Sequence, residues 1–452
     1  MNNESKEVEK KVLEKIVPNK NDRLKLETTI EELKNVVLKH TQKIDIPIEI
    51  ELVGSTAKDT YLKDSLDIDL FVCFPTTTSR EKLEKNGLSI GRKVLIKREE
   101  CFAEHPYLRG EFNGYKTEIV PCYKIESASQ KLSAVDRTPL HTTYVTEHLA
   151  EKQKNEVRLL KQYLKGIGCY GAEAEVEGFS GYLCEILILK YNSFQNLLFR
   201  AQHWRYGEQL FLHNETVPYF DTSLIFIDPI DNERNVSSAL SKEKFDLFIK
   251  SCKAYLEKPK ITFFFPNKIK PWPLDKIRKE IDGKEFFGIK IKKPEIIAEN
   301  LYPQVRKAVR SIIDLCIQYE FTITDSFFHI TNDYVYIMLN PGKSKISETV
   351  LHMGPPLNLK KNADEFINKW INHPQTIKKP FEKDNRYYVE IKREYVKIKD
   401  LLEEQIKALS LGKHIGPIVQ EYFSILDRTD LLKESFCMLW TEYLDKRMSW
   451  NR

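Results

Sequence analysis

The chain has 452 residues, a length typical of about three domains. Apolar residues make up 41% of it, so each domain can bury a core of ordinary size. The 71 Lys and Arg residues and the 66 Asp and Glu residues leave a net charge of +5, which permits a nucleic-acid partner without requiring one.

The cysteines and the apolar runs exclude several classes of protein. None of the eight cysteines stands in a Cys-x-x-Cys pair, which argues against a zinc site of that kind and against a small disulfide framework. No run approaches the ~18 apolar residues that span a bilayer, and the first residues lack the apolar segment of a signal peptide. We therefore expect a cytoplasmic protein with no membrane partner.

The first 140 residues alternate between helical and strand patterns. Two amphipathic helices are expected over 4–16 and 22–41, and a third helix is expected to end at Gly87. Asn113-Gly114 is a strong hairpin signal. The expected strands are 48–53, 67–74, 107–112 and 115–120, with a short helix after the first. Residues 1–140 are thus predicted to form one small mixed α/β domain.

The pattern becomes mostly helical over residues 141–257. Helices are expected at 155–166, 181–199 and 242–256. The following stretch, 258–273, is rich in Pro, Lys and Phe and is the predicted domain boundary.

The remainder, 258–452, alternates strands and helices. The expected order is strand 286–292, helix 302–319, strands 321–329 and 334–340, helix 362–372, strand 386–393 and helix 399–409. This strand-helix-strand-strand-helix-strand order is typical of a ferredoxin-like module. The fold class predicted for the whole chain is therefore multidomain α+β.

A turn of small residues and two carboxylates stand close together in the first domain. Gly54-Ser55 follows the first predicted strand, and Asp67-Ile68-Asp69 leads into the apolar run 70–74. If that run is a strand, Asp67 and Asp69 project from the same face. Such a pair can hold Mg²⁺, which prefers oxygen ligands, and the turn offers N–H groups and a hydroxyl to a phosphate. The combination predicts metal-dependent transfer of a nucleotidyl group.

Glu118 is the candidate for the third carboxylate that two-metal phosphoryl transfer usually needs. It lies among apolar residues in the second strand of the predicted hairpin. The alternative is that all three acids are surface residues at strand starts. The spacing from Gly54-Ser55 favours function for Asp67 and Asp69, whereas for Glu118 the residues alone leave both interpretations open.

The string from Gly54 to Asp69 resembles the DNA polymerase β nucleotidyltransferase superfamily. Further strings resemble the archaeal-type (class I) CCA-adding tRNA nucleotidyltransferases, in that family's order and over nearly the whole chain. They are Val120-Pro121-Cys122-Tyr123, Ala134 to His141, Asn155 to Lys161, Tyr170 to Glu173, Gly178 to Glu185, Asp228 to Asp231 and Arg234-Asn235-Val236.

The resemblance implies a polymerase-β-like nucleotidyltransferase head, a helical neck, an α+β body and a ferredoxin-like tail. It implies addition of C, C and A to the 3′ end of tRNA from CTP and ATP with two Mg²⁺ ions. Asp67 and Asp69 would hold the ion that carries the triphosphate, and together with Glu118 they would hold the one that activates the tRNA 3′-hydroxyl. The family commonly has Asp at the position of Glu118.

The resemblance also implies a nucleotide pocket. Its residues are Gly54, Ser55, Lys58, Thr138, His141, Lys161 and Tyr170 for the triphosphate and sugar, and Arg234 near the base. The family usually has Arg at the position of Lys58, and a Lys keeps the charge without the bidentate fork. Taken singly, Lys161 is compatible with a solvated helix face and His141 with a structural role. Arg234 alone would be expected to pair with Asp231 or Glu233.

Basic and aromatic residues in the C-terminal half are candidates for binding the tRNA acceptor stem and elbow. They include Lys268, Lys270, Trp272, Lys290, Lys292, Lys293, Arg306, Lys307 and Arg310. The string Leu411 to His414 resembles the family segment implied to bind the elbow. A monomer and a homodimer are both compatible with the sequence.

Two alternative functions stay open. One is another nucleotidyltransferase of the superfamily, such as a poly(A) polymerase, against which the later strings argue. The other is a tRNA-binding protein with an impaired active site, an interpretation that Glu118 and Lys58 keep open.

Overall fold

A computed structural model of the chain describes residues 3–102, 104–213 and 218–452. It divides into two compact units, one of Met1–Lys268 with Arg447–Arg452 and one of Ile269–Lys446. The division falls inside the predicted boundary stretch 258–273, while the predicted divisions after residues 140 and 257 stay predictions. Among the described residues, every helix is too short or too polar to cross a membrane.

The first unit holds nine α-helices and eight strands in its described residues. In chain order they are α1 (Asn3–Ile16), α2 (Lys20–Thr41), β1 (Glu49–Val53), α3 (Gly54–Ala57), β2 (Ile68–Phe74), α4 (Arg80–Val94), β3 (Ile96–Phe102), β4 (Pro106–Phe112), β5 (Tyr115–Tyr123), α5 (Arg137–His148), α6 (Glu151–Ile167), α7 (Gly181–Tyr191), α8 (Phe194–Ala201), β6 (Glu208–Leu210), β7 (Leu224–Asp228), β8 (Asp231–Asn235) and α9 (Lys242–Glu257).

A five-stranded mixed sheet with the order β1-β2-β5-β4-β3 carries the acidic motif. β2 pairs with β1 antiparallel and with β5 parallel, so β2 lies inside the sheet. The predicted hairpin is confirmed, because β4 and β5 pair antiparallel around Asn113-Gly114. The buried side of the sheet packs with α2 and α4 in a core that includes Leu33, Leu70 and Ile119.

The predicted helix end at Gly87 is wrong, because α4 runs on to Val94. Gly87 and Gly91 are buried where the helix crosses the sheet, and a Cβ on Gly87 would lie 2.6 Å from Pro121 Cβ. A Cβ on Gly91 would lie 2.8 Å from Leu108 Cδ1. The two glycines therefore allow close packing of helix on sheet and do not end the helix.

A second core in the same unit is built on α6, α7, α8 and α9, and it includes Val12 and Ile16 of α1. The predicted single helix over 181–199 is two helices, because Asn192 takes a left-handed conformation and Ser193 caps α8. The prediction of a mostly helical region also failed to include the three-stranded sheet β6-β7-β8. Its strands are only three to five residues long, too short for a clear alternation.

The second unit contains two separate sheets. Its elements are α10 (Leu274–Glu280), β9 (Phe287–Lys292), α11 (Ala298–Gln318), β10 (Ile323–Ile330), β11 (Tyr334–Pro341), β12 (Thr349–Pro356), α12 (Lys360–Trp370), β13 (Thr376–Lys383), β14 (Arg386–Lys392), α13 (Ile398–Gln405), α14 (Ile415–Glu421), β15 (Ser424–Leu426), α15 (Arg428–Leu431) and α16 (Cys437–Leu444).

The predicted ferredoxin-like order is realised with a different last strand. One sheet has the order β10-β11-β9-β15 with all neighbours antiparallel, and its fourth strand is β15. The expected strand over 386–393 is β14, the centre of the separate sheet β12-β14-β13. The cause is an insertion within the ferredoxin-like module, made of β12, α12, β13 and β14. Its strand and helix patterns resemble those of the module, so β14 was mistaken for the module's last strand.

Candidate active site

The acidic residues meet at the β2–β5 pair. Asp69 on β2 and Glu118 on β5 are direct partners in the parallel register. Asp67 lies two residues earlier, exposed just before β2 begins. Burial, followed by the charges of Glu118 and Asp67, raises the pKa of Asp69 to about 7. This crowding of like charges around a half-buried carboxyl is what a hard divalent cation would relieve, so the oxygen donor set fits Mg²⁺.

Arg109 forms an ion pair with Glu118. Its Nε donates a hydrogen bond of 2.7 Å to Glu118 Oε1 across the β4–β5 pair. The charge and hydrogen bond of Glu118 outweigh the burial of the guanidinium and raise the pKa of Arg109. Within the described ranges, no three His, Cys, Asp or Glu side chains are already arranged as a metal site. The bond from Arg109 engages Glu118 Oε1 only, so a cation at a three-carboxylate site would bind Oε2 or compete with Arg109 for Oε1.

The predicted Gly-Ser turn is the short helix α3, directly after β1. The register pairs Val53 with Asp69, so the chain reaches Gly54 beside the Asp69 carboxylate. Ser55 is half-buried, and its carbonyl accepts the Thr60 N–H at 3.0 Å. The structure thus brings Gly54 and Ser55 next to the acidic cluster.

Lys58 and Lys161, which the sequence assigned to the nucleotide, share one buried carboxylate. Lys58 Nζ donates to Glu185 Oε2 at 2.5 Å, and Lys161 Nζ donates to Glu185 Oε1 at 3.3 Å. Thr60 Oγ1 donates to Glu185 Oε1 at 2.6 Å. Burial opposes ionisation of Glu185, but the two ammonium groups outweigh it and lower its pKa. The interpretation of Lys161 as a residue on a solvated helix face is therefore wrong, because its side chain is buried.

The two lysines differ in what they can still offer a ligand. Lys161 Nζ also donates to the carbonyl and to the hydroxyl of Thr60, at 3.2 and 3.0 Å, so its three N–H groups are all engaged. Lys58 Nζ makes one hydrogen bond within the described residues, to Glu185. Lys58 consequently retains donors for a phosphate, and Lys161 does not in this arrangement.

His141 and Arg234 meet at Asp228, a fully buried residue at the end of β7. Arg234 Nη1 donates to Asp228 Oδ2 at 2.7 Å, and His141 Nε2 lies 2.8 Å from the same oxygen. The expected pairing of Arg234 with Asp231 or Glu233 is wrong. Asp231 instead accepts from Lys131 and Arg137, at 2.7 and 2.6 Å.

Tyr182 lies between the group of side chains around Glu185 and the group around Asp228. Its hydroxyl donates to Asp228 Oδ1 at 3.0 Å, and its ring lies 4.0 Å from the His141 ring and 5.9 Å from Lys58 Nζ. Lys58, His141 and Arg234 are therefore parts of one continuous group of side chains.

Tyr170 and Thr138 complete the predicted set. The Tyr170 hydroxyl and Lys161 Nζ both face Gly181, at 3.3 and 3.8 Å from the place its Cβ would take. Burial raises the pKa of Tyr170, with smaller contributions from Cys184, Glu185, Glu173 and Asp67. Thr138 is half-buried, one turn before His141 on α5.

Comparisons with known proteins match the chain in three consecutive parts. Residues 30–141 match a nucleotidyltransferase domain, 155–265 the second domain of tRNA nucleotidyltransferase, and 282–428 the C-terminal domain of the CCA-adding enzyme. A CCA-adding enzyme of Methanosarcina barkeri is 35% identical over 428 residues, which are 93% of this chain and 94% of that protein. The chain belongs to the family of CCA-adding enzymes.

Other CCA-adding enzymes share a comparable sequence identity with this chain. That of Methanocaldococcus jannaschii is 36% identical over 430 residues, 91% of this chain and 94% of its own. A solved structure of the Cid1 poly(U) polymerase with Mg and 3′-dATP covers 56% of this chain and 94% of its own, at 11% identity and a TM-score of 0.46. That likeness is too low to support a conclusion.

Four residues of this site were assigned no role from the sequence: Arg109, Tyr182, Glu185 and Asp228. The last three lie inside strings that carry the family resemblance. Two of them left a usable signal. Glu185 is an acid inside the apolar stretch 183–189, and Asp228 ends the apolar run 224–227. A buried carboxylate needs charged or hydrogen-bonding partners, so each predicts a cation nearby without saying which.

Proposed function

We propose that this chain adds C, C and A in turn to the 3′ end of tRNA, from CTP and ATP and without a nucleic-acid template. The relatives named CCA-adding enzyme, aligned over more than nine-tenths of both chains, support this. The observation that carries it is the in-register pair of Asp69 and Glu118, with Asp67 and the Gly54-Ser55 turn beside it. These groups are what nucleotidyl transfer to a hydroxyl requires.

Asp67, Asp69 and Glu118 would hold two Mg²⁺ ions. When bound, such ions stabilise the charge on the triphosphate and on the attacking 3′-hydroxyl. Asp69 would contribute a half-buried carboxylate whose neighbours disfavour its charge until a cation binds. Glu118 would contribute its carboxylate in competition with Arg109, which holds Oε1, and its extra methylene, compared with the Asp common in the family, lengthens its reach.

The nucleotide would lie between the carboxylates and the Tyr182 group. Ser55 and Lys58 would bind phosphate oxygens, since Ser55 follows Gly54, which lies against Asp69, and the charge of Lys58 acts on the Asp69 carboxyl. Tyr170 and Thr138 would add hydroxyl contacts. Lys161, with its donors engaged, would act by holding Glu185 and Thr60 in place. Arg234 would contact the base.

The second unit would bind the tRNA acceptor stem and elbow. Lys276 Nζ lies 3.2 Å from the Trp272 ring centroid and Lys290 Nζ lies 3.8 Å from that of Tyr334, which gives cationic and aromatic groups side by side. Such pairs suit an RNA backbone and unstacked bases. The segment 411–414 would bind the elbow, and the head, neck, body and tail division would follow the predicted domain limits.

The test supplies tRNA that ends at the discriminator base with labelled CTP, ATP and Mg²⁺. Growth that stops after three nucleotides and requires CTP supports CCA addition. Open-ended A tails, or growth without CTP, would overturn it in favour of a poly(A) polymerase. Binding of tRNA without any growth would identify an impaired enzyme.

A matched pair of variants tests the carboxylate assignment. Asp69→Ala should abolish growth while tRNA binding survives. Asp64→Ala removes an exposed acid from the same loop and should leave growth unchanged. Equal activity of Asp69→Ala and the unaltered protein would contradict the metal assignment.

A further inference from the structure

One buried carboxylate, that of Asp228, fixes two side chains of the proposed nucleotide pocket. Its Oδ2 accepts from Arg234 at 2.7 Å and lies 2.8 Å from His141 Nε2. Its Oδ1 accepts from the Tyr182 hydroxyl at 3.0 Å and from the Ile230 N–H at 3.2 Å. Burial disfavours the charged form, but the hydrogen bonds from His141 and Arg234 and the charge of Arg234 outweigh it and lower the pKa of Asp228.

This arrangement determines which nitrogen of His141 carries the proton. An ionised carboxylate only accepts, so the hydrogen bond to Asp228 needs a proton on His141 Nε2. Burial lowers the pKa of His141 despite Asp228, which favours the neutral ring. Nδ1 then carries a lone pair, and in the described part of the chain no hydrogen bond reaches it. The Tyr182 ring, 4.0 Å away and tilted by 32°, limits rotation of the imidazole.

A lone pair at Nδ1 decides what His141 can recognise. Phosphate oxygens are acceptors and cannot bond to it, whereas a hydroxyl can donate to it. On CTP and ATP the donors are the ribose hydroxyls and the amino group of the base. Arg234 is the residue assigned to the base, which leaves the ribose hydroxyls for His141. The geometry therefore separates His141 from the triphosphate contacts and directs it to the sugar.

We propose that Asp228 is a positioning residue for nucleotide choice: it presents His141 Nδ1 as an acceptor for a ribose hydroxyl and fixes Arg234 for the base. This rests on the proposed function of the site. Because His141 and Arg234 share one oxygen of Asp228, a shift of either side chain disturbs the other. Recognition of the sugar and recognition of the base are coupled through that atom.

The experiment compares equilibrium binding of CTP, 2′-deoxy-CTP and 3′-deoxy-CTP in the absence of tRNA. We expect the unaltered protein to bind CTP about three- to tenfold more tightly than one of the deoxy analogues, the effect of one hydrogen bond. Asp228→Asn keeps the shape, but an amide can donate as well as accept, so His141 can take either tautomer. That variant should bind CTP and the same analogue almost equally.

Asp231→Asn is the matched control. Asp231 is a buried acid at the other end of the same turn, and its partners are Lys131 and Arg137. It should keep the ribose preference even if it lowers stability. Should Asp228→Asn fail to fold, His141→Ala carries the test and must lose the preference.

Three results would overturn the proposal: no ribose preference in the unaltered protein, an unchanged preference in Asp228→Asn or in His141→Ala, or an equal loss in Asp231→Asn. Because binding is measured without tRNA, a protein that selects the ribose but adds nothing to tRNA would refute the proposed function and leave this inference standing.

Discussion

Gly54 lies against the carboxylate of Asp69. A Cβ placed on Gly54 would stand 2.1 Å from Asp69 Oδ2 and 3.1 Å from Cγ, well inside any contact distance. Gly54 also has a φ of +73°, which residues with a side chain adopt at a cost of about 1–2 kcal/mol. The turn that would bind phosphate and the carboxylate that would bind metal are therefore in direct contact, and only glycine fits between them.

Gly54→Ala should reduce the rate of nucleotide addition by about 100-fold or more, because the methyl group displaces the Asp69 carboxylate. Gly114→Ala is the matched control. Gly114 has a φ of +82° with no atom within 4 Å of its Cβ position, so that variant carries the conformational cost alone. Single-turnover rates and thermal midpoints of both variants check this. Comparable activity of the two would show that contact with Asp69 is unimportant.

Arg109→Gln should lower the Mg²⁺ concentration needed for half-maximal activity, by about three- to fivefold for a partly exposed pair. The guanidinium holds Glu118 Oε1 at 2.7 Å and so competes with a cation for it. Arg92→Gln, which breaks the exposed Arg92–Glu100 pair at 2.9 Å, is the control and should change nothing. A higher Mg²⁺ requirement in Arg109→Gln would mean that Arg109 orients Glu118 for the metal instead.

Strand alternation in the sequence predicts that Asp67 and Asp69 share one face, and the family resemblance adds Glu118 to them. Alternation does not predict that β2 and β5 pair in parallel, which is what brings Asp69 level with Glu118. The partners of Lys58 and Lys161 could not be found in this way. Glu185 is 127 residues from Lys58 along the chain, and only tertiary packing brings them together.

The same distinction explains the misplaced strand in the second unit. Local pattern identifies β14 as a strand but does not say which sheet it joins, because pairing is a long-range choice. β15, with three residues, is too short to be recognised by pattern, yet it is the fourth strand of the ferredoxin-like order.

Removing the shared carboxylate of Glu185 should cost more stability than removing one of its cations. Glu185→Gln keeps the shape but leaves two buried ammonium groups without a counter-charge, and should lower the free energy of unfolding by about 3–5 kcal/mol. Lys161→Met leaves Glu185 bonded to Lys58 and Thr60, and should cost less. Urea denaturation of both variants shows which of them loses more unfolding free energy. A larger loss in Lys161→Met would contradict the central role given to Glu185.

Glu9 on α1 should make the stability of the first unit depend on pH. Its Oε1 accepts from Gln195 Nε2 and, at 3.4 Å, from the Tyr255 hydroxyl. Burial, with a contribution from Glu156, raises its pKa from 4.5 to about 7. Because the folded state then binds the proton more tightly than the unfolded state, the free energy of unfolding should fall as the pH rises from about 4.5 to about 7, and it should stay lower above that range.

Glu9→Gln keeps the acceptor oxygen without the charge and should remove this dependence. At pH 8 the variant should be more stable than the unaltered protein by about 1–2 kcal/mol, after allowance for solvent screening. At pH 4.5 the two should be alike. Glu14→Gln, an exposed position on the same helix, serves as the control and should give the same stability as the unaltered protein at both pH values. Urea denaturation at the two pH values measures the difference, and a Glu9→Gln effect of equal size at both would show that the carboxyl does not titrate in this range.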